Sequence, residues 1–331
     1  MSNNILDTHY SWADTISVSF WQSPLWADIL TLTHQAEIIP YKAWDVSLLI
    51  ERRGLWKQYT GLYILGTDGT KLSADVLNDV CRKVVSSSDL FLQIEPITSP
   101  FPTSQKAPFR RFLEPLTAIL PLKEMTEETL INRFEEKGRY NIRVAQRRGL
   151  TAHWVQGDTV SPYALPWKNQ SGATNIELFF SLLEETTERD NFSHNSLVYY
   201  KHFVSVLEKN NAGGLLFVIK DNTLHAAGIF VYSSNQGIYY YGASSNSQEI
   251  RRDHGTYLLQ WEAICEALHR GCTEYDFLGI SSRPWDKLAG VTTFKMRFSP
   301  EKVTLPQETV IIFKPITLRI LQFMSRLRKL L

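Results

Sequence analysis

Short runs in which hydrophobic residues alternate with polar ones, or dominate outright, recur along this 331-residue chain and predict β-strands. In the first half, the predicted strands are at 36–52, 55–65 and 91–96. Further along the chain, they are at 150–155, 214–220, 224–233, 237–243, 273–279, 292–299 and 309–313. The turns Asp221-Asn222 and Asn235-Gln236-Gly237 separate three of these runs as hairpin tips would, which predicts an antiparallel meander.

Helical periodicity and capping residues fill the stretches between these strands. Ser23 followed by Pro24 is a typical helix start, and Thr126 followed by two acidic residues is another. The predicted helices are at 23–30, 73–86, 126–134, 139–148, 175–190, 197–209, 257–270 and 315–331. Strands that follow one another, and then a helix that crosses to a further strand, predict an α+β protein with mixed sheets.

Composition narrows the function only slightly. The chain is 44% hydrophobic and 21% charged, which is ordinary for a globular enzyme, and its net charge of +1 provides no general attraction for a polyanion. The three cysteines and eight histidines have no metal-ligand spacing, so we expect no metal site. No nucleophile motif such as G-x-S-x-G is present.

The chain carries no sequence signal for export or for crossing a membrane. Asp7 and Asp14 interrupt the N-terminal stretch, so we do not read it as a signal peptide. No run approaches the ~18 apolar residues of a membrane span. A sparse, odd number of cysteines suits a reducing compartment. We therefore expect a cytoplasmic protein.

Two basic features could hold phosphate groups. Arg139, Arg143 and Arg147 share one helix face through their i, i+4 spacing, either as a solvated face or as a track for phosphates. Arg252-x-x-Gly255 opens a helix after a strand, which is the shape of an anion site at a helix start, although a solvated turn is equally open. The turn partly resembles the pyrophosphate loop of the GNAT family of N-acyltransferases.

The stretch from 275 to 298 is the most informative part of the chain. A buried strand runs into a loop rich in glycine, serine and proline, and the chain returns through an aromatic-basic-aromatic row. If the return segment is a strand, Lys295 points away from Phe294 and towards a cleft.

Seven stretches taken together resemble the FemABX family, the aminoacyltransferases that build peptidoglycan cross-bridges. Each match is modest, but their joint order along the chain is specific. The matching stretches are 20–26, 93–96, 138–145, 241–245, 257–264, 275–280 and 289–295.

The resemblance implies two GNAT-like domains with mixed, largely antiparallel sheets. The first would comprise 1–146 plus the returning segment 300–331 and would face the acceptor precursor. The second, 147–299, would carry out acyl transfer. No long heptad insertion is present, so we expect no coiled-coil arm.

The resemblance further implies transfer of an amino acid from aminoacyl-tRNA to the stem-peptide amine of a nucleotide-linked or lipid-linked peptidoglycan precursor. The partners would be these two substrates, and no cofactor would be needed beyond the aminoacyl-tRNA donor. An amine of pKa ~10.4 must lose a proton before it attacks an ester. Positioning and oxyanion stabilisation suffice for this reaction, without a covalent enzyme intermediate.

The family's functional residues map onto this chain through the matching stretches. Lys295 would hold a phosphate or developing negative charge, Tyr241 would line the peptide channel, and Asp276 would be structural or would orient a neighbouring base. The remaining expected substrate-binding residues are Phe294, Arg297, Ser244, Arg252, Trp261, Arg139, Arg143 and Trp26.

Three positions depart from the family pattern. Ile29 and Leu30 stand where a lysine for the precursor phosphate commonly lies. Pro121 stands in place of an acidic residue, and Ser299-Pro300 replaces a glycine pair.

Two other functions stay open at this point. One is an acyl-CoA-dependent N-acyltransferase, in which Tyr257 would crowd the coenzyme A diphosphate. The other is a non-catalytic muropeptide-binding or tRNA-binding protein. The amphipathic tail 318–331 is either a helix packed on the first domain or a peripheral contact with the inner face of an anionic membrane.

Overall fold

The computed structural model describes residues 19–98, 107–165, 167, 172–190, 192–233, 235–283 and 285–327. Its strands form two mixed sheets, one of five strands in the order β1-β2-β3-β4-β12 and one of seven in the order β11-β5-β10-β9-β8-β7-β6. The strands are β1 (Glu37–Ala43), β2 (Val46–Trp56), β3 (Tyr59–Asp68), β4 (Asp89–Thr98), β5 (Leu116–Pro121), β6 (Thr151–Val155), β7 (Gly213–Lys220), β8 (Thr223–Ser233), β9 (Gln236–Ser244), β10 (Glu274–Gly279), β11 (Glu301–Thr304) and β12 (Thr309–Ile312).

Helices cover the faces of both sheets, which confirms the predicted α+β class. Within the described residues the longest helix has 16 residues, so the predicted absence of a coiled-coil arm agrees with the structure. None of the described helices is long and apolar enough to cross a bilayer. The helices are α1 (Pro24–Leu32), α2 (Ala74–Val84), α3 (Glu127–Arg133), α4 (Glu136–Arg147), α5 (Asn175–Asp190), α6 (Leu197–Lys209), α7 (Gln248–Arg252), α8 (Gly255–His269), α9 (Ala289–Met296) and α10 (Pro315–Leu327).

Local capping chemistry sets several helix starts where the sequence predicted them. The Ser23 hydroxyl accepts a hydrogen bond from the Trp26 backbone N–H, and Pro24 occupies the first helical position. Thr126 and Thr129 form a reciprocal capping box that opens α3. These caps satisfy backbone donors that the first helical turn leaves without partners.

The second sheet contains the predicted meander. Strands β7, β8 and β9 pair antiparallel in sequence order. Asp221 and Asn222 at the first tip both have positive φ, a conformation that asparagine and aspartate tolerate in tight turns. The predicted hairpin is therefore confirmed at this tip.

The chain passes from the first sheet to the second at a different place from the predicted domain boundary between 146 and 147. Strand β5 lies between β11 and β10 in the second sheet, and α3 and α4 pack on that sheet as well. Their buried side chains Leu130, Phe134 and Ile142 share one core with Leu258 and Phe298. The predicted boundary put these residues in the first domain, because no linker in the sequence marks the change from one sheet to the other. The C-terminal return holds only for β12 and α10, since β11 joins the second sheet.

The predicted strand at 292–299 is wrong, because the segment forms helix α9. Phe294 and Phe298 lie four residues apart, and this spacing puts them on one side of a strand and also on one side of a helix. In the structure both rings pack around Tyr257, with the Phe294 ring centroid 5.1 Å and the Phe298 centroid 5.9 Å from it. Tertiary packing therefore decided between two patterns that the sequence could not separate.

Candidate active site in the cleft of the second sheet

A cleft opens where strands β9 and β10 part. These two strands pair in parallel only from Gln236–Glu274 to Ile238–Asp276 and then diverge. In the first sheet, the parallel strands β3 and β4 stay paired from Thr60–Asp89 to Asp68–Thr98. The splayed pair leaves a cleft of about 950 Å³ in the second sheet.

Residues from α5 to α9 line this cleft. Strand β9 contributes 239–244, and α5 with the segment after it contributes residues from Leu183 to His194. The start of α8 and the exposed part of α9 form the opposite wall. The site therefore draws on elements that are far apart in sequence and that only the fold brings together.

Lys295 reaches the cleft from α9 and is held at the end of β10. Its side chain is only 6% exposed, and its Nζ donates hydrogen bonds to the carbonyl oxygens of Gly279 (2.8 Å) and Leu278 (3.3 Å). A bulge in β10 between Asp276 and Gly279 and a left-handed φ of 59° at Leu278 accompany this arrangement. The irregular end of the strand therefore presents two carbonyl groups to one ammonium group.

Burial and two nearby acidic residues shift the pKa of Lys295 in opposite directions. Burial lowers the pKa of Lys295 to about 8, while the charges of Asp276 and Glu114 act in the other direction. Burial also raises the pKa of Asp276, whose Oδ1 accepts hydrogen bonds from the Thr117 hydroxyl (2.6 Å) and the Leu278 backbone N–H (2.7 Å). With a pKa of about 8, Lys295 is mainly protonated at pH 7.

Tyr241 lines the cleft from β9, as the sequence predicted for a channel residue. Its hydroxyl lies 3.0 Å from the Tyr199 hydroxyl and accepts a hydrogen bond from Asn195 Nδ2 at 3.4 Å. Burial raises the pKa of Tyr241 well above its usual value, so the phenol stays neutral. A neutral phenol can both donate and accept a hydrogen bond.

Three further predicted residues also line the cleft: Phe294, Ser244 and Arg252. The backbone of Ser244 is tied to α5, because its N–H donates to the Thr186 hydroxyl at 2.9 Å and its carbonyl accepts from that hydroxyl at 3.0 Å. Arg252 ends α7, and its carbonyl accepts a hydrogen bond from Arg148 Nη1 at 2.6 Å.

The structure places both predicted tryptophans in the core rather than in the cleft. Trp26 is buried, and its indole N–H donates to Glu51 Oε1 at 2.7 Å. Trp261 is buried with its ring edge-on to Phe134, at 5.8 Å between centroids. An aromatic residue inside a family motif serves packing as readily as binding, and the motif alone does not distinguish the two.

The three other predicted binding arginines lie away from the cleft wall. Arg297 follows α9 and forms an ion pair with Glu135. Arg139 donates to the carbonyl oxygens of Asn132 and Phe134 and thereby closes the end of α3. Arg143 is exposed, so it belongs to an outer basic face.

Three histidines that line the cleft, His194, His225 and His254, were not among the predicted site residues. His225 is buried, with its Nδ1 3.8 Å from Asp253 Oδ2, and burial lowers its pKa. His254 precedes α8 with a left-handed φ of 59°, and burial lowers its pKa as well. The position of His254 at a helix start was a weak signal in the sequence, whereas His225 inside an alternating strand gave none. Within the described residues, no group of acidic, histidine or cysteine side chains could hold a metal ion.

Comparison with known proteins agrees with this architecture. Over 78 residues the chain is 36% identical to aminoacyltransferase FemA of Staphylococcus aureus, a segment that spans 23% of this chain and 18% of FemA. A crystal structure of FemX superposes with a TM-score of 0.72 at 16% identity, over 92% of this chain and 94% of FemX. The C-terminal domain of a putative lysylphosphatidylglycerol synthetase from Agrobacterium fabrum has a TM-score of 0.56 at 10% identity, over 92% of each chain.

At these low identities the two structural matches establish the fold alone. The aligned FemA segment covers less than a fifth of that protein, so the similarity does not extend over the whole relative. The sequence profile of the FemAB family, however, matches residues 113–212 and 208–326, which together make up more than half of the chain. This protein therefore belongs to the FemAB family.

Proposed function

We propose that this protein transfers an amino acid from aminoacyl-tRNA to the stem-peptide amine of a peptidoglycan precursor, in the cytoplasm. The observation that carries the proposal is the splayed pair β9 and β10, with the buried Lys295 side chain fixed at the end of β10. Membership of the FemAB family supports the reaction class. The proposal leaves both nucleotide-linked and lipid-linked precursors as acceptors.

Lys295 supplies charge stabilisation in this proposal. The acceptor amine attacks the ester carbonyl, a C–N bond forms, and the ribose hydroxyl of the tRNA leaves. An ammonium group has three N–H donors, and the carbonyls of Leu278 and Gly279 accept two of them. The third would donate to the oxyanion or to the departing ribose oxygen. A fixed donor of this kind typically contributes about 10²- to 10³-fold in kcat.

The acceptor amine must be unprotonated before it attacks, and histidines of the cleft would accept its proton. The lowered pKa values of His225 and His254 keep both rings neutral at pH 7, so each can accept a proton. Of the two protons that the ammonium form of the acceptor gives up, one would pass to the ribose oxygen of the leaving tRNA and the other, taken up by a histidine, would be released to solvent. No covalent enzyme intermediate is needed.

The outer basic face suits the acceptor stem of the tRNA. Arg139, Arg143 and Arg147 lie on α4, which packs against α8. Arg148, just after α4, bonds to Asp253 and to the carbonyl of Arg252 beside the cleft. The basic face therefore continues to the mouth of the cleft, where the aminoacylated end would enter.

The test is to incubate the purified protein with charged tRNA and a defined muropeptide and to analyse the muropeptide by mass spectrometry. A mass increase of one aminoacyl residue that requires the charged tRNA supports the proposal. Parallel reactions contain acetyl-CoA in place of charged tRNA. An acetyl increment would instead establish the acyl-CoA alternative, which the ring of Tyr257 in the cleft disfavours. Tight muropeptide binding without any increment would establish a binding protein.

A further inference from the structure

Helix α10 has two apolar sides, and in the described part of the chain only one of them is covered by other residues. Leu318 and Leu321 are buried against the first sheet together with Leu90, Phe91 and Val310. Gln322 fixes the helix further, because its Nε2 donates to the Pro108 carbonyl at 2.8 Å. Packing against the first sheet therefore explains one apolar side of α10 and fixes the direction in which the other side faces.

The second apolar side faces outwards. Ile316 is 76% exposed, Ile320 54%, Phe323 62% and Leu327 45%. Their spacing of four, three and four residues places them within about 60° of arc on the helix. We call these four residues the outer stripe.

Positive charge accompanies the outer stripe. The sequence from 314 to 331 contains five basic and no acidic residues, in a chain whose net charge is only +1. Arg319 and Arg326 lie together on one flank of the stripe, roughly 70–90° around the helix from its centre. An apolar stripe beside basic side chains is the arrangement of helices that lie in the interface of an anionic bilayer.

A small apolar pocket adjoins the covered side of α10. It has a volume of about 160 Å³. Lys57 contacts one residue of its lining, with its Nζ 4.6 Å from the centre of the Trp56 ring. The pocket is lined by Leu55, Trp56, Phe109, Leu321, Met324 and Ser325.

We propose that α10 is a docking surface for an anionic lipid bilayer. The outer stripe enters the boundary between headgroups and acyl chains, Arg319, Arg326 and Lys57 contact lipid phosphates, and the pocket takes the end of an acyl chain. An RNA partner would leave four large apolar side chains without a matching surface. A second copy would bring two basic helices face to face, which like-charge repulsion disfavours. The proposal does not depend on the proposed reaction.

The test is co-sedimentation of the full-length protein with vesicles of phosphatidylglycerol and phosphatidylcholine, and with vesicles of phosphatidylcholine alone. We expect binding to the anionic vesicles that weakens between 0.1 and 0.5 M salt, because the interaction combines apolar and screened electrostatic contributions. The Ile320→Ser/Phe323→Ser variant should bind at least about 10-fold more weakly. The matched control, Trp44→Ser/Val198→Ser, replaces exposed apolar residues elsewhere and should bind like the wild type.

A second pair of variants tests the charge. Arg319→Glu/Arg326→Glu should lose preference for anionic vesicles, whereas Lys302→Glu on the exposed strand β11 should keep it. Thermal unfolding checks that all variants are folded. Absence of wild-type binding to anionic vesicles overturns the proposal, as does equal binding by the stripe variant. A wild-type dimer that the stripe variant converts to a monomer, with no vesicle binding, would assign the stripe to a second copy and also overturn it.

Discussion

Lys295 Nζ donates a hydrogen bond of 2.8 Å to the carbonyl oxygen of Gly279, at the point where strand β10 ends in a bulge. This contact joins a helix to the edge of the cleft and fixes the position of a buried positive charge. In the proposed reaction this positive charge stabilises the oxyanion. Loss of the charge should therefore lower the rate more than it weakens substrate binding.

Replacement of Lys295 by methionine removes the charge and keeps a similar volume. We expect kcat to fall by about 10²- to 10³-fold, because the oxyanion loses one fixed donor. The Michaelis constant for the muropeptide should change little. Steady-state kinetics by mass spectrometry measures both. Lys302→Met removes an exposed lysine and serves as the control; an equal loss of kcat in both variants would contradict the assignment.

The lowered pKa of Lys295 makes a prediction about stability. The ordinary pKa of a lysine side chain is 10.5, and burial lowers that of Lys295 to about 8. Between these values the unfolded chain binds the proton and the folded protein does not, so this residue makes the free energy of unfolding rise with pH. The difference in unfolding free energy between wild type and Lys295→Met should therefore grow in favour of the wild type from pH 8 to pH 10.5.

Denaturant titrations at a series of pH values measure this difference. The raised pKa of Asp276 acts with the opposite sign, because it makes stability fall as pH rises above 3.8. A wild-type to mutant difference that stays constant above pH 8 would show that Lys295 keeps an ordinary pKa in the folded protein.

Tyr241→Phe removes a hydroxyl that contacts both Tyr199 and Asn195. We expect a loss of about 1 kcal/mol in the free energy of unfolding, since a buried hydrogen bond disappears. If the phenol also contacts the acceptor peptide, the Michaelis constant for the muropeptide should rise several-fold. Tyr140→Phe removes an exposed hydroxyl and should change neither quantity. Unchanged kinetics in Tyr241→Phe would limit the residue to a structural role.

Gly138 on α4 touches the chain that follows α9. A Cβ at this position would lie 2.4 Å from the Arg297 carbonyl oxygen, so Gly138→Ala must push the two elements apart. We expect destabilisation by about 1–3 kcal/mol, as for other overpacked sites. Gly290 on α9 has no atom within 4 Å of the same added group, so Gly290→Ala should be neutral or stabilising. Equal melting temperatures for the two variants would contradict the close contact.

The outer arginines should act on tRNA affinity and leave the chemical step unchanged. Arg143→Glu should weaken tRNA binding by about 10-fold at low salt, with a smaller effect at high salt. Filter binding with charged tRNA measures this effect. Lys42→Glu changes an exposed charge on the first sheet and should bind tRNA like the wild type. Loss of binding in both variants would indicate a general charge effect.

Local chemistry made much of the fold predictable. Ser23 and Thr126 marked helix starts through their caps, and Asp221-Asn222 marked a hairpin through its tolerance of positive φ. The predicted strand at 292–299 was wrong because the spacing of Phe294 and Phe298 fits the period of a strand and also the period of a helix. Strand β5 was not among the predicted strands, and its place in the second sheet was not foreseen, because strand partners far apart in sequence leave no local signal.

The site was only partly predictable for the same reason. The motif residues Lys295 and Tyr241 do line the cleft, but Trp26 and Trp261, from equally good motif matches, are buried in the core. Gly255, at the start of α8, packs closely against His225, because a Cβ on Gly255 would lie 3.2 Å from the His225 Cβ. Contacts of this kind depend on three-dimensional packing that one sequence does not record.

The most direct test of the central claim is a crystal structure of the protein with a stable mimic of the aminoacylated tRNA end, in which an amide replaces the ester. The account predicts that the amide carbonyl oxygen lies between β9 and β10, within hydrogen-bonding distance of Lys295 Nζ. A mimic bound outside that cleft, or with its carbonyl out of reach of Lys295, would contradict it.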